Sequence, residues 1–148
     1  MKDIIIIGSG PAGLSAAVYG RRAGLDILVI EKEYCGTGQI AESGQVDNYL
    51  GIPGIEGYSL GEKFREHAEN LGTAFLEEEV TKLEQSDGYW KVLLAGGDVL
   101  ETKTVIYAAG ASHRHLNVPG EDKLSGRGVS YCATCDGAFF QGKTTAVI

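Results

Sequence analysis

Basic residues are scarce in this chain of 148, where 13 Lys and Arg stand against 20 Asp and Glu for a formal net charge of -7. That balance argues against non-specific binding to nucleic acid, which needs clustered cations to displace counterions from phosphate. Long apolar runs are missing as well. Near the N-terminus the longest is Ile4 to Ile7, broken by Gly8, far short of a signal-peptide core or a membrane span. The expectation is a cytoplasmic protein with no membrane partner. Cysteine is also rare. Its three residues are odd in number and too sparse for the disulfide framework of a secreted domain.

Glycine, by contrast, is in excess at 22 residues, gathered at positions 8–13, 36–38, 51–61 and 126–142. Glycine collects where backbone must turn tightly or approach a ligand closely, so several loops are candidates for facing a ligand. The remainder, 43% hydrophobic and 22% charged, is the composition of an ordinary globular domain.

Asp3 to Ile7 is a continuous β-branched run, as in a strand buried on both faces of a parallel sheet. A helix follows from Gly10 to Gly24, with Leu14, Ala17, Val18 and Arg21 at helical spacing and Gly24 as its stop. Asp26 to Ile30 is a second buried strand closed by Glu31, completing a β-α-β unit. From Cys35 to Tyr58 no period is found, which predicts a long functional loop. Ser59-Leu-Gly-Glu62 has the form of a capping box, opening a helix with Leu60, Phe64, Ala68 and Leu71 on its apolar stripe. Ala74–Leu83, Tyr89–Leu94 and Val99–Thr102 read as a β-meander, and Thr104–Ala108 as a further buried strand. Glu77, Glu78 and Glu79 read as a solvated strand edge. His113 to Gly126 is polar and holds Pro119-Gly120, a hinge signal. Lys143 to Ile148 repeats the pattern of Lys2 to Ile7, as though a second nucleotide-binding unit were beginning.

Two constellations carry chemistry. In Gly8-Ser9-Gly10-Pro11-Ala12-Gly13 the first glycine allows a strand-to-helix turn. The second lets backbone N–H groups approach a pyrophosphate, and the third lets helix and strand pack closely. Glu31, at the end of the next strand, suits a ribose 2′-hydroxyl and repels a 2′-phosphate, so FAD or NAD fits and NADP does not. The second constellation is Cys132-Ala-Thr-Cys135-Asp136. A C-x-x-C loop closes an easily exchanged disulfide, and Asp136 beside it can give or take the proton that exchange requires. The alternative is a non-catalytic nucleotide-binding module in which the cysteines are structural or bind zinc with His113 and His115. Cys35 reads as a half-buried bystander.

Gly8-Ser-Gly-Pro-Ala-Gly13, Thr37-Gly-Gln-Ile40, Val46-Asp-Asn-Tyr49 and Gly126-Arg-Gly-Val-Ser-Tyr-Cys-Ala-Thr-Cys-Asp-Gly137, in this order, resemble the low-molecular-weight bacterial thioredoxin reductases. The resemblance implies an α/β, Rossmann-like three-layer FAD/NAD(P)-binding fold with a parallel sheet and a β-meander, incomplete as given. Residues 1–112 would be the N-terminal part of an FAD-binding domain. Residues 113–148 would be a linker and the start of an NADPH-type domain carrying the dithiol. Gly8, Ser9, Gly10, Pro11, Ala12, Gly13, Glu31, Gly38, Gln39, Asn48, Val80, Ala109 and Gly110 would contact FAD, with Gln39 and Asn48 along the isoalloxazine. Ala109-Gly110 departs from a family Thr-Gly pair. Cys132 and Cys135 would be the redox pair, Cys135 facing the flavin and Cys132 meeting thioredoxin, with Asp136 as the acid and no metal. The whole enzyme would be a homodimer passing electrons from NADPH through FAD to the dithiol and on to thioredoxin or a similar small dithiol protein. A related flavin disulfide reductase with another electron donor is the neighbouring reading. Family members are about twice as long, so this chain is expected to be an N-terminal half that does not turn over alone.

Overall fold

The computed structural model describes residues 1–34 and 37–148, and for Cys135 the backbone alone. The expected role of Cys35 lies outside the described residues. Two compact units are present, Met1–Gly110 and Ala111–Ile148.

In the first unit β1 (Lys2–Ile7), β2 (Ile27–Glu31), β3 (Ala74–Glu77), β4 (Val80–Ser86), β5 (Tyr89–Leu94) and β6 (Val99–Tyr107) form one sheet in the order β3-β2-β1-β6-β5-β4. Pairing is parallel from β3 through β2 and β1 to β6, and antiparallel from β6 through β5 to β4. The continuous isoleucine run of β1 follows from its having two dry faces. Ile6 packs with Leu14 and Ala17 of α1 (Pro11–Arg22) and Ala68 of α2 (Gly57–Asn70). Ile5 and Ile7, one pleat away, pack with Val92 and Leu94 of β5. The meander thus closes over the face opposite the helices. Each fully buried isoleucine contributes about 1.5–3 kcal/mol, so the run anchors both layers at once.

Three readings of elements in the first unit need correction. Residues 74–83 are two strands, because β3 ends on its partner β2 at Glu77 and β4 starts afresh at Val80 against β5. Conversely, the expected strands 99–102 and 104–108 are the single strand β6. Its first half pairs with β5 and its second with β1, and buried Thr102 stands opposite both Trp90 and Lys2 at the switch. The capping box also does not form. Helix α2 begins at Gly57 with Glu56 as its cap residue, and the Ser59 hydroxyl donates to Glu56 Oε2 at 3.0 Å. The helix starts early because Gly57 presses on the preceding loop, donating its N–H to Ser43 O at 2.9 Å where a Cβ would strike the Ile40 carbonyl.

The loop before α2 contains one 3-10 turn, Gly38–Glu42, and one isolated bridge between Val46 and Ile55. In the second unit the regular elements are short: α3 (Glu121–Leu124), α4 (Ala133–Asp136), a 3-10 turn at Gly137–Phe140 and a bridge between Ser125 and Val129. Lys143 to Ile148 is not a strand, and Val147 and Ile148 are 99% and 95% exposed. A strand of this kind is held by ladder bonds to neighbours, and none pairs with it among the described residues. No described helix is long and apolar enough to cross a membrane.

Candidate functional site

The ends of three strands converge at the glycine turn. Gly8 donates its N–H to Ile30 O at 2.8 Å, and Ala108 donates to Ile7 O at 2.8 Å. Gly8 has a φ of 106°, and a Cβ there would collide with the Ala108 carbonyl. A Cβ on Gly13 would collide with the carbonyl of Gly8. These two glycines are therefore required by the fold itself. Gly10 is not. Its φ of -68° and ψ of 177° are open to any residue, and a Cβ would meet nothing nearer than the Thr37 carbonyl at 3.7 Å.

The space kept open at Gly10 faces the start of α1. Pro11 has no N–H, and no side chain caps the helix. The amides of Ala12 and Gly13 fall in the first turn, where no intrahelical acceptor exists and the helix dipole is positive. A phosphate fits that environment. Gly38 lies alongside, at a φ of 82° and with a Cβ position 3.6 Å from Gly10 Cα. Buried Thr37, at a φ of 73°, holds the loop there in a conformation that costs a β-branched residue on the order of 1–3 kcal/mol.

Below the turn lies a cavity of about 580 Å³ whose lining includes Gly8, Glu31, Val80 and Ala109. Four expected cofactor contacts thus share one wall. The lining also includes Glu78 and Glu79, so two members of the acidic run are at the cavity rather than at an idle edge. Ser9 is buried behind Glu31 and donates its hydroxyl to Glu31 Oε2. Gln39 is on the 3-10 turn, next to Gly38. Asn48 is exposed in the loop and does not line the cavity, and Gly110 ends the unit at a φ of 75°.

Glu31 has a second partner that sequence reasoning missed. Arg65 Nη1 donates to Glu31 Oε1 at 2.6 Å, and Arg65 Nε donates to Glu69 at 2.7 Å. The guanidinium lies 3.5 Å from the Phe75 ring centroid and 5.0 Å from that of Tyr34. Burial alone would lower the arginine's proton affinity, but the hydrogen bonds to Glu31 and Glu69 raise it overall. The available signal was an i,i+4 Arg-Glu pair, which a solvated helix face shows equally well.

In the second unit, Cys132 precedes α4 and is disulfide-bonded. The backbone N–H of Asp136 donates to Cys132 O at 3.0 Å. Ser130 donates its hydroxyl to Asp136 Oδ2 at 2.6 Å and accepts the Cys132 N–H at 3.1 Å. Glu121, another residue that sequence reasoning passed over, is the hub of the preceding segment. Its carboxylate accepts the N–H groups of Leu116 at 2.9 Å, Asn117 at 2.7 Å and Val118 at 3.3 Å, and the Tyr131 hydroxyl at 2.6 Å. The Tyr131 bond, then those amides, hold Glu121 down to about 2, and the same bond pushes the Tyr131 phenol up to about 12. The two histidines a zinc site would need are turned to this hub. His113 stacks on the Tyr131 ring at 5.3 Å, and His115 Nδ1 is 3.1 Å from the Tyr131 hydroxyl. Among the described residues no group of three His, Cys, Asp or Glu is placed to hold a metal ion.

Residues 2–148 match the family described as pyridine nucleotide-disulphide oxidoreductase. A thioredoxin reductase of Bacillus subtilis is 47% identical over 146 residues, covering 99% of this chain and 46% of its own length. A thioredoxin reductase structure from Streptococcus pyogenes is 44% identical with a TM-score of 0.82, over 95% of this chain and 45% of that one. A ferredoxin-flavin thioredoxin reductase from Clostridium acetobutylicum is 37% identical with a TM-score of 0.68, over 95% and 48%. The chain spans about half the length of the curated relatives it matches.

Proposed function

Because this chain belongs to the pyridine nucleotide-disulphide oxidoreductase family, we propose that it is the N-terminal half of a thioredoxin reductase, a homodimeric cytoplasmic enzyme passing electrons from NADPH through FAD to the Cys132/Cys135 disulfide and on to thioredoxin. The observation that carries the reading is that one chain joins a glycine turn left open at Gly10 to a disulfide-bonded Cys132 in a C-x-x-C-D sequence. FAD would supply the two-electron chemistry that links a nicotinamide to a disulfide. The first-turn amides of α1 would hold its pyrophosphate, and Glu31 would accept its adenosine ribose hydroxyls. Gly38 and Gln39 lie along the same loop.

The dithiol performs the exchange. The thiolate of one cysteine attacks a sulfur of the thioredoxin disulfide, whose S–S bond breaks as a mixed disulfide forms. The second cysteine then attacks the mixed disulfide, restoring the Cys132/Cys135 bond and releasing reduced thioredoxin. Two electrons and two protons leave the dithiol, and Asp136 handles a proton at the departing or arriving thiolate. By family resemblance Cys132 is the residue that meets thioredoxin.

A polypeptide in which residues 1–148 are continued by the C-terminal half of the Bacillus subtilis relative tests this. It is expected to bind FAD and reduce thioredoxin with NADPH, whereas the 148-residue chain alone shows no NADPH-driven turnover. Cys132→Ser and Cys135→Ser each abolish reduction with flavin content intact. Gly10→Val, which fills the open space with a side chain, lowers FAD content while leaving the fold in place. Full activity in both cysteine variants would sink the reading.

A further inference from the structure

We propose that Ser130 positions the Asp136 carboxyl for proton transfer at the dithiol, an inference that rests on Asp136 acting as the acid of the exchange. The Ser130 hydroxyl has a single proton to donate. It lies 2.6 Å from Asp136 Oδ2 and 3.3 Å from the Cys132 carbonyl, and a hydrogen bond to an ionised carboxylate is the stronger and shorter kind. The proton therefore goes to Asp136. The same oxygen accepts the Cys132 N–H at 3.1 Å, so one hydroxyl ties the carboxylate to the backbone of the exchanging cysteine. The Asp136 backbone is tied there too, through its N–H to the Cys132 carbonyl at 3.0 Å.

Without Ser130 the Asp136 side chain rotates on a helix of only four residues. Among the described residues no cation pairs with Asp136, so no ion pair would hold it in place. The carboxyl is thus oriented by a neutral hydroxyl. Ser130 holds the Asp136 carboxylate and the Cys132 backbone N–H, so its effect runs through Asp136.

The test is thiol–disulfide exchange between dithiothreitol and the oxidised 148-residue chain, quenched by alkylation at intervals across about pH 6 to 9. In this reaction the two dithiothreitol sulfurs are oxidised to a cyclic disulfide, and their electrons and protons pass to the two cysteines. Asp136→Asn is expected to slow exchange on the order of 10²-fold and to change its pH profile. Ser130→Ala slows it by about ten- to a hundredfold, the factor carried by one hydrogen bond to a charged group, and changes the profile in the same direction. Ser130→Thr, which keeps the hydroxyl, restores both. The double variant is no slower than Asp136→Asn alone. Ser130 is exposed, so its variants keep the fold, which circular dichroism checks. A wild-type rate in Ser130→Ala beside a slow Asp136→Asn overturns the positioning role, as does a double variant slowed by both factors. A wild-type rate in Asp136→Asn overturns the acid reading itself and the inference with it.

Discussion

Glu31 and Glu121 are buried to nearly the same degree, at 6% and 5% exposure, yet they are satisfied by different means. Glu31 draws on Ser9 and Arg65, residues 22 and 34 positions away. Its charge is matched by a guanidinium that is itself packed on Phe75. Glu121 draws on Leu116, Asn117, Val118 and Tyr131, all within ten positions, and its principal partners are amides and a phenol rather than a cation. The first carboxylate is a product of the whole unit, assembled when α2 docks beside the end of β2. The second is a local knot that ties the polar segment ahead of the dithiol. The consequence is a division of labour: Glu31 reports on global folding, Glu121 on the order of one segment.

The largest expected effect comes from breaking the long-range pair. Arg65→Ala leaves Glu31 buried with Ser9 as its remaining side-chain partner among the described residues, and removing one member of a buried ion pair costs about 3–5 kcal/mol. Urea denaturation of the first unit should show that loss. Arg65→Lys keeps the charge but not the fork that reaches both Glu31 and Glu69, so its midpoint falls between. An unchanged midpoint in Arg65→Ala would mean that the two carboxylates do not differ as argued.

A smaller and local effect is expected from pH at Glu121. Its folded-state carboxyl is held down to about 2 from an ordinary 4.5. The stabilisation is therefore complete above 4.5 and is lost as pH falls from there towards 2. Tyr131 has the opposite sign. Its phenol is pushed up from 10 to about 12, so its contribution is complete below 10 and is lost as pH rises towards 12. The amide resonances of Leu116, Asn117 and Val118 should move in both windows. Glu121→Gln should remove the acid-side change and leave the midpoint of the first unit where it was. Resonances that stay fixed down to pH 2 would exclude the knot.

The same contrast explains how much could be read from sequence. The β1 run, the Gly8 to Gly13 turn and Glu31 were legible because local pattern dictates them: two dry faces, a turn without room for Cβ at its first and last glycines, and a carboxylate at a strand end. The continuity of β6 was not, because Thr102-Lys103-Thr104 looks like a break until β5 and β1 are both in place to pair with it. The capping box failed for a similar reason, since contact between Gly57 and residues 40–43 decides where α2 begins. Arg65 was invisible because an arginine after Phe64 on an amphipathic helix shows nothing of Phe75 or Glu31. Glu121 sat in a polar stretch read as a hinge, where no hydrophobic period announces a buried acid.

The smallest effect sharpens the comparison from within the first carboxylate. Ser9 is buried, and its hydroxyl donates to the Glu31 oxygen that Arg65 does not hold. Ser9→Ala leaves the ion pair intact, so it removes one hydrogen bond and creates no unpaired charge. The expected cost is about 1.5 to 3 kcal/mol, the range for a hydrogen bond to a charged group, below that of Arg65→Ala. In an Arg65→Ala background the same change should cost more, because the hydroxyl is then the remaining side-chain donor to a buried carboxylate. A double-mutant cycle by urea denaturation measures the difference, and residues sharing one acceptor are expected to couple by about 0.5–3 kcal/mol. Strict additivity would mean that Ser9 and Arg65 act on Glu31 independently. In that case the site is two separate contacts rather than one assembled carboxylate, and the contrast with Glu121 loses its physical basis.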